Sequence, residues 1–340
     1  MKNALHVRRF PVSSRRWLCA YLALCAGLSA AMTPQAQAQA SDYPNRTVRI
    51  INPFLPGAAN DILARLLATK LGERWGRSVI VENKVGAAGV IGLNFVAKSA
   101  ADGYTFVVAA NTLSMMIPAL HPNLPFDVRK DFAPVIYIAD VPTVVTVNAG
   151  TPFKTVQDLV SYAKANPGKL TFGSSGTGSS LHMIGEYFNS LVGIELLHVP
   201  YKGAPESLNA TISGEVDLSF GAASSVAPQV RSGKVKVLLA SGSKPVSVLP
   251  DVPVAASVGM PEFDVPLWYG IFAPAGTPAA AIQRFYRDAA EILNEPETRE
   301  QLVRMGFNVV AGSPEQLGEL VTSDLARWTR LVRDRGITAK

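Results

Sequence analysis

The sequence predicts an α/β protein of two lobes with a cleft between them and two crossing segments as the hinge. Short β-rich runs alternate with amphipathic helical segments, a pattern that argues for parallel sheets covered on both faces. The chain has 340 residues, 48% hydrophobic and 17% charged, enough for one large sheet or two smaller ones with sizeable cores. Two proline-broken extended stretches, 133–148 and 263–274, are long for single strands and read as crossings. They divide the chain into a discontinuous first lobe, 41–140 with 266–340, and an inserted second lobe, 141–265. A mean hydropathy of +0.19 excludes intrinsic disorder.

Residues 1–40 read as a signal peptide. Lys2, Arg8, Arg9, Arg15 and Arg16 form a positive start without any acid, and an apolar run over 18–32 follows. That run is shorter than the ~20 residues that span a bilayer. The small-residue stretch Gln35-Ala36-Gln37-Ala38-Gln39-Ala40 places cleavage near Ala40, so that export is expected, with an uncleaved membrane anchor as the alternative. The net charge of +6 belongs to this leader. Taking its five cations from the 32 basic residues leaves 27 against 26 acidic ones, so the case for a nucleic-acid partner disappears. Cys19 and Cys25 also lie in the leader, so the mature chain has no thiol, disulfide or Cys-based metal site.

Beyond the leader, strands are predicted over 48–51, 79–81, 104–109, 135–138, 144–147, 170–173, 196–199, 216–220, 235–240, 270–273 and 307–310. Helical spacing joins Leu63, Leu66, Leu67 and Leu71, and again Leu181, Ile184, Phe188 and Leu191. Ser313-Pro314-Glu315-Gln316 is a capping box, Thr155 with Asp158 starts another helix, and Thr277-Pro278 a third. The last helix, 314–332, is expected to pack back on the first lobe.

Ligands of open α/β sheets sit at the carboxyl ends of strands, where helix N-termini offer unpaired amides and a positive dipole end. The turn Asn52-Pro53-Phe54-Leu55-Pro56-Gly57-Ala58-Ala59-Asn60-Asp61 is one such place. Gly57 lets the backbone approach a ligand, and Asn60 or Asp61 would cap the helix. A plain capped loop is the alternative, and Asp61 would repel an anion unless its side chain is engaged. A second place is Gly173-Ser174-Ser175-Gly176-Thr177-Gly178-Ser179-Ser180, followed by a helix bearing His182. Ser179 stands where a P-loop needs lysine, Leu181 where a dinucleotide fingerprint needs glycine, and no serine has the spacing of a nucleophile elbow. An uncharged anion cradle or a flexible loop remains. A third set, Asn111 with Thr112, Tyr201-Lys202-Gly203, and Ala222 to Ser225, with Ala222 and Ser224 taken as the contacts, also follows strands. Lys202 is either a distant charge partner or a solvated surface residue. Trp268 and Tyr269 are hinge, cleft or core aromatics.

Enzyme chemistry finds little support. His121, His182 and His198 lack metal-ligand spacing, no carboxylate pair is marked for acid–base work, and no catalytic constellation is assembled. The residues call for no metal and no cofactor.

Many ordered blocks resemble the extracytoplasmic solute receptors of tripartite tricarboxylate transporters, the Bug-type receptors. They include Tyr43-Pro44, Pro56-Gly57 with Asp61 and Ala64-Arg65, Val81-Glu82-Asn83, Asp102-Gly103-Tyr104 and Asp131-Phe132-Ala133-Pro134-Val135. Further on stand Pro167-Gly168-Lys169-Leu170, His198-Val199-Pro200-Tyr201-Lys202-Gly203, Leu249-Pro250-Asp251-Val252-Pro253 and Phe272-Ala273-Pro274-Ala275-Gly276-Thr277-Pro278. The resemblance implies a type II-like periplasmic binding protein fold and a monomer without enzymatic activity. It also implies that a small organic carboxylate is gripped between the loops 56–61 and 173–182 and passed to the membrane subunits of the transporter. A sensory module with the same cleft, or an exported serine hydrolase using one of Ser174 to Ser180 with His182, are the alternatives. Ala58 departs from the family, which usually has a second glycine there, and Val85 stands where proline is frequent.

Overall fold

The computed structural model describes residues 43–115, 120 and 123–337, and the chain from Pro44 onward builds two mixed β-sheets. The predicted leader with Cys19 and Cys25, and also His121, lie outside the described residues. The first sheet begins with β1 (Val48–Asn52), α1 (Ala59–Trp75), β2 (Val79–Asn83), α2 (Val90–Ala97), β3 (Thr105–Ala110) and β4 (Phe132–Val141). At Pro142 the chain enters the second sheet. There it runs β5 (Thr143–Asn148), α3 (Val156–Ala165), β6 (Thr171–Ser174), α4 (Ser180–Val192), β7 (Leu197–Pro200), α5 (Ala204–Ser213), β8 (Leu218–Ala222), α6 (Ala223–Arg231) and β9 (Val235–Ala240). It returns as β10 (Leu267–Pro274), followed by α7 (Ala279–Asn294), α8 (Pro296–Arg304), β11 (Asn308–Gly312) and α9 (Pro314–Arg335).

The strand orders are β11-β4-β10-β3-β1-β2 and β7-β6-β8-β5-β9. Two sheets and two crossings match the predicted fold class, but the expectation of wholly parallel sheets needs correction. Parallel pairing holds for β1 with β2 and β3, and for β6 with β7 and β8. The crossing strands run the other way: β10 is antiparallel to β3 and β4, and β5 to β8 and β9. The reason is connectivity. A βαβ unit needs a crossover helix to stay parallel. A strand that leaves for, or returns from, the other sheet has no such helix and pairs with its neighbour in the opposite sense.

Each sheet is covered on both faces. Leu63, Leu67 and Leu71 of α1 pack with Phe285 and Ile292 of α7 on one face of the first sheet, and Leu93 with Val96 of α2 on the other. Ile184 and Phe188 of α4 cover one face of the second sheet, and Val226 with Ala227 of α6 the other. Local signals start the helices as expected at two sites. Thr155 and Asp158 form a reciprocal capping box, as do Ser313 and Gln316. At the third, Pro278 takes the cap position, and the Thr277 hydroxyl donates to the Pro274 carbonyl at 2.8 Å.

The last helix departs from its expected place. Its first half does pack on the first sheet, through Leu317 and Val321. Its second half buries Trp328, Leu331 and Val332 with Phe188 and Ile184 in the core of the second. Arg335 pairs with Glu186 of α4 at 3.0 Å. A helix of 22 residues is about 33 Å long, more than one half can cover, so its apolar stripe runs onto both. At its middle, buried Asp324 accepts from Trp268 Nε1 of β10 at 2.8 Å and from Ser114 Oγ at 3.3 Å.

Gly185 of α4 lies directly against the buried ring of Phe172, and a Cβ there would collide with it. Gly185→Ala is therefore expected to cost about 1–3 kcal/mol of stability through overpacking, read as a lowered midpoint in urea unfolding.

Candidate ligand-binding cleft

A cavity of about 450 Å³ opens between the two sheets. The first sheet's side supplies Phe54, Asn60, Asn111, Thr112, Leu267 and Tyr269. The second contributes Ser175 and the first turn of α4, Ser180 with Leu181. It also contributes Ala204, Pro205, Leu208 and Asn209 of α5, the end of β8 to Ala222, and Ser225, Val226 and Gln229 of α6. The first turns of α1, α4, α5 and α6 thus border one space. Amides there lack intrahelical acceptors and carry the positive end of the helix dipole.

The β1–α1 turn is held rigid by its own side chains. Gly57, at φ +83, makes the bend. The expected cap at Asn60 or Asp61 is corrected: Ala58 occupies the cap position without any side-chain cap. Asp61 instead accepts from the Gly57 amide at 3.0 Å, Arg65 Nε at 2.8 Å, Asn83 at 3.2 Å and Asn52 at 3.3 Å. The Arg65 hydrogen bond above all holds its carboxyl well below the usual carboxylate range. The concern that Asp61 would repel an anion is met by this pairing, because Arg65 balances its charge. Asn60 is only 6% exposed, and its Nδ2 has no hydrogen-bond partner among the described atoms although it borders the cavity. Ala58 sits at φ −71 and ψ 164, ordinary extended backbone that needs no glycine, and its methyl is outside the lining.

The β6–α4 turn is braced in a comparable way. Ser174, fully buried, accepts from the Gly176 amide at 3.1 Å and lies 2.6 Å from His198 Nε2. The Gly178 amide donates to His182 Nδ1 at 3.0 Å, which fixes an unprotonated Nδ1, and Ser179 Oγ caps the His182 amide at 3.3 Å. The His182 and His198 rings stack 3.8 Å apart. Burial pushes both imidazoles down to about 4. Ser174, Gly176, Gly178, Ser179 and His182 therefore shape the loop, while Ser175 borders the cavity. The buried Ser174 oxygen is closed to a substrate.

The other expected positions separate. Asn111 and Thr112 line the cavity, and the Asn111 amide is tied to the Trp268 carbonyl at 3.1 Å. Gly57, Ala59 and Asp61 build the first turn without lining the space. Tyr201 turns its hydroxyl to Glu215 at 2.9 Å, and exposed Lys202 lies outside the lining. Ala222 lines the cavity, but Ser224 packs under the tight turn at Gly306. Its neighbour Ser225 faces the space instead, because one residue turns a helix by about 100°. Sequence reasoning missed Leu208, Asn209, Val226 and Gln229. They sit inside helices, where spacing alone marks a face without saying what it meets. Tyr269 lines the cleft, and burial raises its hydroxyl to about 12, whereas Trp268 belongs to the core.

Residues 63–337 match the model of the tripartite tricarboxylate transporter family receptor, TctC. The chain belongs to that family of solute-binding receptors. It is 32% identical to BugT of Bordetella pertussis over 90% of this chain and 94% of that protein. Among solved structures it is similar to Rpa4515 of R. palustris with adipate, with 32% identity, TM-score 0.75, and 87% and 99% of the two chains covered. It is also similar to MatC of Rhodopseudomonas palustris with bound malate, with 30% identity, TM-score 0.71, and 85% and 100% covered.

The histidine stack has a consequence for stability. Both rings are neutral in the fold with values lowered from about 6.5. Their contribution is complete above pH ~6.5 and is lost as pH falls towards about 4. Thermal melts from pH 7 to 4 are expected to show a smaller acid-induced drop in Tm for a His182→Gln/His198→Gln variant than for the parent.

Proposed function

We propose that the protein is exported to the periplasm, captures a small organic carboxylate in this cleft and delivers it to the membrane subunits of a tripartite tricarboxylate-type transporter. It does so as a monomer, without catalysis. The observation that carries this reading is the buried Asn60 amide, unpartnered at the cavity wall where α1 begins. A buried donor without an acceptor costs about 1–3 kcal/mol, and a ligand oxygen removes that cost. Adipate and malate in the two similar receptors support a carboxylate as the ligand.

In this reading one carboxylate lies between the starts of α1 and α4. Asn60, Asn111, Thr112 and Ser175 donate to it, together with first-turn amides. Gly57, Ala58, Ala59, Asp61, Ser174, Gly176, Gly178, Ser179 and His182 keep those donors in place. The lobes 41–140 with 266–340 and 141–265 close around Pro142 and the return segment before β10. Each hydrogen bond to a charged group contributes about 1.5–3 kcal/mol. A few net bonds thus reach the roughly 8 kcal/mol of a micromolar Kd after closure costs.

Calorimetry with adipate and malate is expected to show saturable binding of at least one. Asn60→Ala and Ser175→Ala should each weaken it about tenfold to a hundredfold. A thermal-shift screen in which no carboxylate binds would overturn the receptor reading. Unchanged affinity in both variants would displace the site.

A further inference from the structure

Resting on that reading of the cleft, we propose that its ligand is a dicarboxylate with a hydrocarbon midsection, carrying neither an ammonium group nor a third carboxylate. The described lining residues are neutral throughout. The charged pair beside them, Asp61 and Arg65, is closed on itself at 2.8 Å. The charge of a ligand is then balanced by helix dipoles and neutral donors. Four helices begin at the cavity, α1, α4, α5 and α6. Each N-terminus is equivalent to about +0.5 of a charge, so together they approach the charge of a dianion. Asn60 gives this an independent footing, since its orphaned Nδ2 is buried at the wall and waits for an acceptor. Neutral polar groups stand on both sides of the space, Asn60 and Asn111 from the first sheet's side, Asn209 and Gln229 from the second's. They suit an anion with two ends.

Apolar side chains take up another part of the wall, Leu208, Val226 and Leu267 beside the rings of Phe54 and Tyr269, next to the hydroxyls of Thr112, Ser175, Ser180, Ser219 and Ser225. Hydrocarbon gains by burial against such a surface. An ammonium group meets the reverse situation. Four positive dipole ends repel it, and the lining offers it no carboxylate. A third carboxylate exceeds the charge that the dipoles balance and would be desolvated without a cation.

Matched pairs test the class by calorimetry. Adipate against 2-aminoadipate differs by one ammonium, and glutarate against propane-1,2,3-tricarboxylate by one carboxylate. In each pair the first member is expected to bind at least tenfold more tightly. A ratio below tenfold in either pair overturns the assigned class while leaving the receptor reading intact. If none of the four binds and no other carboxylate raises the melting temperature, the receptor reading itself falls, and the class with it. Leu208→Asp places a carboxylate on the apolar wall. In a variant shown by thermal melting to be folded, it should narrow the adipate preference at least tenfold. An unchanged preference overturns the role given to that wall.

Discussion

Backbone amides at the start of a helix have no acceptor within the helix, and this constraint organises the molecule around its cleft. α1, α5 and α6 begin there without a side-chain cap. Thr155 and Ser313 cap helices that begin away from the cavity, while α2, α7 and α8 begin away from it without a side-chain cap. At the cleft, the uncapped ends of α1, α5 and α6 leave donors and positive dipole ends directed at one space. Of the helices that begin there, only α4 is capped by a side chain, Ser179, which serves the third amide of its turn.

Such donors work only if the turns that carry them stay fixed. The chain solves this twice with buried polar clusters. Asp61 gathers four donors from β1, β2, the turn and its own helix, so one carboxylate sets the loop and Arg65 cancels its charge. At the second turn, neutral groups do the same through Ser174, His198, His182 and the Gly178 amide. Keeping these imidazoles neutral avoids two positive charges on rings stacked 3.8 Å apart, one buried and one half-buried.

The two sheets are joined by more than their crossings. β4 and β10 pair along their length as the two directions of one bridge. α9 lies across both cores, and Asp324 at its middle ties β10 to the turn after β3. Asn111 in that turn lines the cavity. The bridge and the ligand wall are therefore mechanically continuous.

The sequence by itself determined what depends on near neighbours. Alternating periodicity placed the strands and helices, Thr155 with Asp158 announced a helix start and Ser313–Gln316 a capping box, and glycine at 57 and 176 marked the turns at the strand ends. The two proline-broken stretches foretold the crossings. Tertiary structure decided what depends on residues far apart in the chain. Antiparallel pairing of β10, the reach of α9 onto the second core and the stacking of His182 on His198 all arise from elements meeting across dozens of residues. So does the choice of Ser225 over Ser224, and the entry of Leu208 and Asn209 into the lining. A helix's periodicity states which residues share a face, but only packing decides whether that face meets a core, solvent or a ligand.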